Sequence, residues 1–440
     1  MNDIPISAAL ISTIANSIGI PSPGFSSIRE ISHLVTKIEE KTGIKFVRME
    51  MGVPGLPAPS IGVDAEIAAL KNGVASLYPN IAGIEPLKTE TSRFIKLFLN
   101  VDISPEGCIP TVGSMMGGMV SFLVANRNDR TKEGTLFIDP GFPVQKQQVK
   151  MLGHDYHSFD VYNFRGKKLK DKLESYLKTG KISSLLFSNP NNPTWICLTE
   201  EELSIIGELA IKYDVIVIED LAYFGMDFRK DYSKPGVPPF QPTIAHYTDE
   251  YVLLISSSKI FSYAGQRIGM MAISDKLFNR SYPDLLRYYS SDKFGYSAIF
   301  GALYALSAGV THSTQYGFAA LLKAVNDGIY KYRDDILDYG EKAAIMKKVF
   351  ILNNFKIVYD MDLDEPVADG FYFTISYPGM AGSELIEELL RYGVSAISLE
   401  CTGSDRHEGL RACVSMVRRE QLPDLETRLS RFSADHPVKN

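Results

Sequence analysis

The chain has 440 residues, of which 45% are hydrophobic and 22% charged. That length exceeds one ordinary core and predicts two domains, or one large and one small; the composition excludes a disordered chain. A formal net charge of −6 argues against nucleic acid or an anionic membrane as partner, while leaving room for a local basic pocket that holds phosphate.

Ile6–Ile20 is moderately apolar, lacks the basic region and cleavage site of a secretory signal, and reads as an amphipathic arm or first helix. No apolar run reaches the roughly 18 residues of a membrane span. Ser27–Thr42 carries Ile28, Ile31, Leu34, Val35 and Ile38 at helical spacing. A strand over Phe46–Met51 runs into Gly52–Pro59, a loop because neither a helix nor a central strand tolerates so many prolines. A helix over Asp64–Gly73, a turn-rich stretch over Tyr78–Gly83 and a helix over Glu85–Leu99 follow.

Short apolar strands then alternate with amphipathic helices. The strands are Cys108–Val112, Thr135–Ile138, Ser184–Phe187, Val215–Ile218, Tyr251–Ile255 and Gly269–Ile273. The helices include Ser114–Asn126, Val144–Met151, Lys168–Lys178 and Glu200–Tyr213. This alternation predicts an α/β domain whose mostly parallel sheet is covered on both faces. Lys234–Pro242 reads as a surface loop, and Tyr316–Asn353 as one long helical connector. Strands Phe355–Tyr359, Gly370–Ile375 and Leu410–Val414, with a helix over Gly382–Tyr392, form a smaller α+β domain. The expected divisions are 1–74 (an arm and the first part of the small domain), 75–310 (the large domain) and 311–440. Cys108, Cys197, Cys401 and Cys413 are scattered, with neither metal spacing nor a disulfide framework, which points to the reducing cytoplasm. His154 and His157 form an H-x-x-H pair that nothing else supports as a metal site; it reads as a surface turn, and no metal is expected.

The chemistry-bearing residues fall just past strand ends, where open α/β sheets bind ligands. Lys259 follows Tyr251–Ile255 within Ser256-Ser257-Ser258-Lys259, and Arg267 lies eight residues on. It reads either as a solvated lysine in a polar loop or as the amine that condenses with an aldehyde. Pyridoxal phosphate is the aldehyde cofactor held that way, and Ser256, Ser258 and Arg267 supply donors and charge for its phosphate. Ser114 opens a helix after a strand, either as a plain N-cap or as part of a phosphate site at the helix N-terminus. Phe142 is either a packed loop residue or a ring lying on the cofactor. In Asn189-Pro190-Asn191-Asn192-Pro193-Thr194 the prolines stiffen the backbone, so the Asn192 amide is either part of an ordinary turn or a rigid donor to a phenolate oxygen. Asp220 ends a strongly apolar strand, a costly place for a carboxylate unless it is paired; a pyridinium nitrogen would resolve that cost, with Tyr223 reaching the phenolate oxygen. Arg411, inside an apolar strand, is either an edge residue facing solvent or a bidentate clamp on a substrate carboxylate. Arg287 and Lys293 are candidate cations for a second carboxylate.

Taken together and in this order, Asn-Pro-x-Asn-Pro-Thr, Asp-x-Ala-Tyr and Ser-x-Ser-Lys with its following arginine resemble the class I/II aminotransferases of the fold-type-I pyridoxal-phosphate superfamily. The resemblance runs from about Ser27 to the end. It implies a large domain with a mostly parallel seven-stranded sheet between helices, plus a smaller α+β domain. It implies pyridoxal 5'-phosphate as cofactor and ping-pong transfer of an amino group between an L-amino acid and a 2-oxo acid through a Lys259 aldimine. By the same resemblance Asp220 pairs with the pyridine nitrogen, Asn192 and Tyr223 hold the 3′ oxygen, and Phe142 stacks on the ring. Ser114, the Met115 backbone, Ser256, Ser258 and Arg267 hold the phosphate. Tyr78 reaches the phosphate of a partner subunit in a homodimer, while Gly52 and Arg411 contact substrate. Trp195 departs from the pattern, which has glycine after Asn-Pro-Thr. The rivals are a lyase (C–S β-elimination) or a decarboxylase on the same scaffold, and a cofactor-binding regulatory module without catalysis. The module would need a DNA-binding segment, for which the stretch before Ser27 is too short.

Overall fold

The computed structural model describes residues 5–132 and 134–438. The chain forms two compact units: Met1–Gly55 with Asn192–Ile196 and Leu337–Asn440, and Leu56–Asn191 with Cys197–Ile336. The divisions thus fall at 55/56, 191/192, 196/197 and 336/337, where the sequence reading has 74/75 and 310/311.

The smaller unit begins with α1 (Ala8–Ser17) and α2 (Ile28–Thr42). A capping box starts α2, with Ser27 and Glu30 each bonding the other's backbone amide, and Gly43 ends it in the left-handed conformation at φ 73°. Its buried stripe is Ile31, Leu34, Val35 and Ile38, the apolar period visible in the sequence. Strand β1 (Val47–Arg48) is shorter than the expected Phe46–Met51, because its parallel partner offers only Val394 and Ser395. A four-stranded antiparallel sheet has the order Ile397–Ser398, Leu410–Cys413, Tyr372–Ser376, Lys356–Ile357. Arg411 pairs with Ile397 on one side and Thr374 on the other, so it is interior to the sheet and the solvent-edge alternative is excluded.

The larger unit contains α3 (Ser60–Lys71), α4 (Glu85–Leu99), β2 (Cys108–Thr111), α5 (Gly113–Ala125), β3 (Gly134–Asp139), α6 (Pro143–Met151), β4 (Tyr156–Asp160), α7 (Lys168–Leu177), β5 (Ile182–Ser188), α8 (Glu200–Tyr213), β6 (Ile216–Leu221), β7 (Tyr251–Ser256) and β8 (Gly269–Ile273). The strands form a seven-stranded sheet in the order β2-β8-β7-β6-β5-β3-β4, in which β8 runs antiparallel to both neighbours and the other pairs are parallel. Val120, Phe122, Ile218, Val252, Leu254 and Met271 belong to its buried cluster. Full burial of such side chains contributes about 1.5–3 kcal/mol apiece.

Two expectations are corrected. The His154–His157 turn is in part a strand: His157 lies on β4 and pairs with Leu136. Edge position explains the weak sequence signal, since only Phe159 and Asp160 of β4 are buried. The single helix over Tyr316–Asn353 is two, His312–Asn326 and Tyr332–Leu352, interrupted where Gly328 takes φ 70°. Among the described residues no helix is long and apolar enough to cross a membrane.

Candidate active site

Lys259 follows β7 in a short turn whose Ser262 amide donates to the Lys259 carbonyl at 3.4 Å, and Lys259 itself is half-buried. Around the start of α5 the phosphate candidates converge. Arg267 Nη1 donates to Ser258 Oγ at 3.4 Å and to the Ala264 carbonyl at 2.9 Å, while the Ser258 amide donates to Ser256 Oγ at 3.2 Å. Gly113, with φ +67°, explains how the guanidinium sits there: a Cβ on it would fall 2.5 Å from Arg267 Nη2. A Cβ on Gly269, paired with Ser256 across β7 and β8, would fall 2.9 Å from the Ser114 amide nitrogen. Ser114 and Met115 lie in the first turn of α5, half-buried; the Met115 carbonyl accepts from Gln148 Nε2 at 2.9 Å. Amide N–H groups, a helix dipole, hydroxyls and a guanidinium thus surround one place, a donor set suited to a phosphate.

Asp220 is buried near the end of β6. Gln145 Nε2 donates to its Oδ2 at 2.8 Å and the Ala222 amide to its Oδ1 at 3.1 Å. Burial nevertheless pushes its carboxyl up to about 6, against the lowering effects of the Ala222 and Gln145 donors and the Lys259 charge. Neutral donors compensate a buried carboxylate less well than a cation in direct contact would. Gln145 belongs to no motif and carries no signal in the sequence; it is found only because α6 brings it to Asp220. Phe142 is the residue before α6, half-buried, and its carbonyl accepts the Gln145 amide at 3.2 Å. Tyr223 is buried in the turn after β6. Tyr78 is 94% exposed. Arg287 and Lys293 are exposed, engaged with the Asp284 carbonyl and the Asn279 carbonyl respectively.

These residues fit pyridoxal phosphate. The open Cβ position of Gly113 lets Arg267 Nη2 lie against the start of α5, and a ring nitrogen that carries a proton would suit the buried Asp220.

In the smaller unit Arg411 is 2% exposed. Its Nη2 donates to the Glu50 carbonyl at 2.6 Å and its Nη1 to Asn192 Oδ1 at 3.3 Å, while its Nε has no hydrogen-bond partner among the described residues. The Glu50 carboxylate is committed elsewhere, to Arg48 at 2.8 Å and the Ser395 hydroxyl at 2.6 Å. Tyr372, two residues from Arg411's strand partner Thr374, presents its ring 4.5 Å from the guanidinium. Gly52 belongs to the same cluster, since a Cβ on it would fall 1.9 Å from the Tyr372 hydroxyl. Tyr372 has no distinguishing sequence signal, because it resembles any aromatic residue of an apolar strand.

A family model described as "Aminotransferase class I and II" matches residues 53–429. A probable aspartate aminotransferase of Methanocaldococcus jannaschii is 25% identical over 74% of this chain and 79% of its own length. Aromatic-amino-acid aminotransferase 2 of Thermococcus litoralis is 29% identical over 56% of this chain and 60% of its own. Among solved structures, aspartate aminotransferase of Thermotoga maritima superposes with a TM-score of 0.74 at 19% identity, covering 93% of this chain and 97% of that one. Alanine aminotransferase from Pyrococcus furiosus gives 0.74 at 19% identity, covering 98% and 100%. These structural likenesses show the fold, that of fold-type-I enzymes. With the family match spanning most of the sequence, the chain belongs to the class I and II aminotransferases and is a pyridoxal-phosphate-dependent transaminase acting on amino acids and 2-oxo acids.

Proposed function

We propose that the larger unit is the cofactor-binding domain and that Arg411 of the smaller unit receives the α-carboxylate of the amino acid and of the 2-oxo acid in a ping-pong exchange. The observation that carries the substrate assignment is the buried Arg411 guanidinium, for which no carboxylate partner exists among the described residues. A buried cation held by neutral acceptors and an aromatic face is only partly compensated, and an anionic ligand lowers the remaining cost.

When bound, the cofactor supplies an aldehyde carbon and an electron-withdrawing pyridinium ring. Lys259 would hold it covalently, and Ser114, the Met115 backbone, Ser256, Ser258 and Arg267 would hold its phosphate. Asp220, oriented by Gln145, would keep the ring nitrogen protonated. Phe142 would lie against the ring, and Asn192 and Tyr223 would hold its 3′ oxygen. Once the substrate amine has displaced it from the cofactor, Lys259 Nζ would take the Cα proton of the substrate as general base and later return a proton. Gly52, whose missing side chain leaves room for the Tyr372 hydroxyl, would contact substrate. The exposed Tyr78 supports a homodimer in which it reaches the partner's cofactor. None of the four cysteines, all within the described residues, forms a disulfide, which supports work in the cytoplasm.

The test is a panel of the twenty amino acids against 2-oxoglutarate, pyruvate and oxaloacetate. New amino acid should form only in the presence of an acceptor, and Lys259→Ala should abolish turnover. Pyruvate and ammonia released with no acceptor present would instead indicate a lyase.

A further inference from the structure

Trp195 is the only tryptophan of the chain. It is fully buried, yet its backbone takes φ 65°, a left-handed conformation that glycine adopts freely and a large side chain does not. Gly370 shows why a tryptophan is nevertheless accommodated. A Cβ on Gly370 would fall 2.0 Å from Trp195 Cε2 and 2.1 Å from its Nε1, so the indole occupies space that this glycine leaves open. The indole then meets Tyr372 edge-on, with ring centroids 6.0 Å apart and planes at 68°. The Tyr372 ring in turn lies 4.5 Å from the Arg411 guanidinium. Trp195 also belongs to the Asn192–Ile196 segment, whose first residue accepts a hydrogen bond from Arg411 Nη1 at 3.3 Å.

From this we infer that Trp195 is a positioning residue for Arg411. It braces the tyrosine platform under the guanidinium and, through its own short segment, the Asn192 oxygen beside it. The inference rests on the reading of Arg411 as the carboxylate clamp. A guanidinium held on an aromatic face and by a side-chain oxygen loses little freedom when a carboxylate arrives, so the brace acts on affinity for the acid rather than on proton movement at Lys259.

The experiment compares full-length wild type, Trp195→Gly, Trp195→Phe and Arg411→Ala, each checked for native circular dichroism. Calorimetric binding of 2-oxoglutarate is the readout that does not depend on turnover. KM and kcat are then measured with the best pair from the substrate panel. Trp195→Gly is expected to raise Kd and KM about tenfold while kcat changes much less. Trp195→Phe, which keeps a ring against Tyr372, is expected to stay near wild type. In the wild type the sole tryptophan should report acid binding as a saturable fluorescence change with the same Kd, absent from Arg411→Ala. If Trp195→Gly does not fold, Tyr372→Leu, which removes the middle ring, carries the same expectation. Wild-type affinity in a folded Trp195→Gly or Tyr372→Leu, with binding lost in Arg411→Ala, overturns the positioning role alone. Undiminished binding in Arg411→Ala overturns the clamp reading on which it rests.

Discussion

Arg411 lies with its guanidinium 4.5 Å from the Tyr372 ring centroid, and the Nε of this buried cation has no hydrogen-bond partner among the described residues. The arrangement sacrifices stability of the empty protein for affinity toward an anion. Arg411→Met, similar in length and uncharged, is therefore expected to leave the thermal midpoint unchanged or raised in the absence of substrate. The same variant should raise KM for the amino acid on the order of a hundredfold, since charged hydrogen bonds to a carboxylate contribute about 1.5–3 kcal/mol each. Differential scanning fluorimetry beside steady-state kinetics checks both halves, and a large loss of stability in the unliganded variant contradicts this account.

Asp220 makes stability depend on pH in a direction opposite to that of a salt-bridged carboxylate. Burial raises its value in the fold to about 6 from an ordinary 3.8, and burial takes the neighbouring Glu219 up to about 7. A carboxyl raised in the fold favours folding when it is protonated; that contribution is present below about pH 4 and is lost as pH climbs through about 6. Cofactor-free protein should accordingly lose stability between about pH 4 and 7, with Asp220 accounting for roughly 3 kcal/mol by pH 8. Asp220→Asn should flatten that part of the curve, leaving the share due to Glu219, and should lower kcat by at least about a hundredfold. Cofactor loading should stabilise the wild type more at about pH 8 than at about pH 5. Denaturant titrations at several pH values, with and without cofactor, together with steady-state kinetics, measure these effects.

Gly113 tests the phosphate cradle. Alanine there meets both a left-handed φ of +67° and an Arg267 Nη2 only 2.5 Å from its Cβ. Gly113→Ala is expected to cost about 1–2 kcal/mol of stability and to weaken pyridoxal phosphate about tenfold by displacing Arg267. Pyridoxal, which lacks the phosphate, should bind wild type and variant equally, and equilibrium dialysis with both compounds separates the two effects.

Gly370 and Trp195 are matched in size, which a double-mutant cycle can reveal. Gly370→Ala alone places a methyl 2.0 Å from the indole and should destabilise by about 1–3 kcal/mol through overpacking. Combined with Trp195→Gly, which vacates the clashing volume, the Gly370→Ala change should cost much less than it does alone. Additive effects in urea unfolding would show that the two residues do not share this space.

Much of the cofactor-binding half was legible because its signals are local. The bounds of α4 and α8, and the placement of Asp220 at the end of one apolar strand and Lys259 just past another, follow from residues within one or two turns of each other. Other features had no local signature. The strand β4 sits at a sheet edge, where half-exposed residues blur the period-two pattern. The break at Gly328 hides between two stretches whose apolar spacing continues on either side.

By itself, then, the sequence determined the order of helices and strands, the loops forced by proline and glycine, and the residue types on offer at each strand end, because propensity, capping and periodicity act between near neighbours. Only the tertiary structure decided that Gln145, 75 positions before Asp220, orients its carboxylate. It alone decided that Arg411, 361 positions from the Glu50 carbonyl it bonds, is buried with no carboxylate beside it among the described residues, and that Trp195 fills the space above Gly370. Such pairings depend on which surfaces the fold brings into contact, and no short window of sequence carries that information.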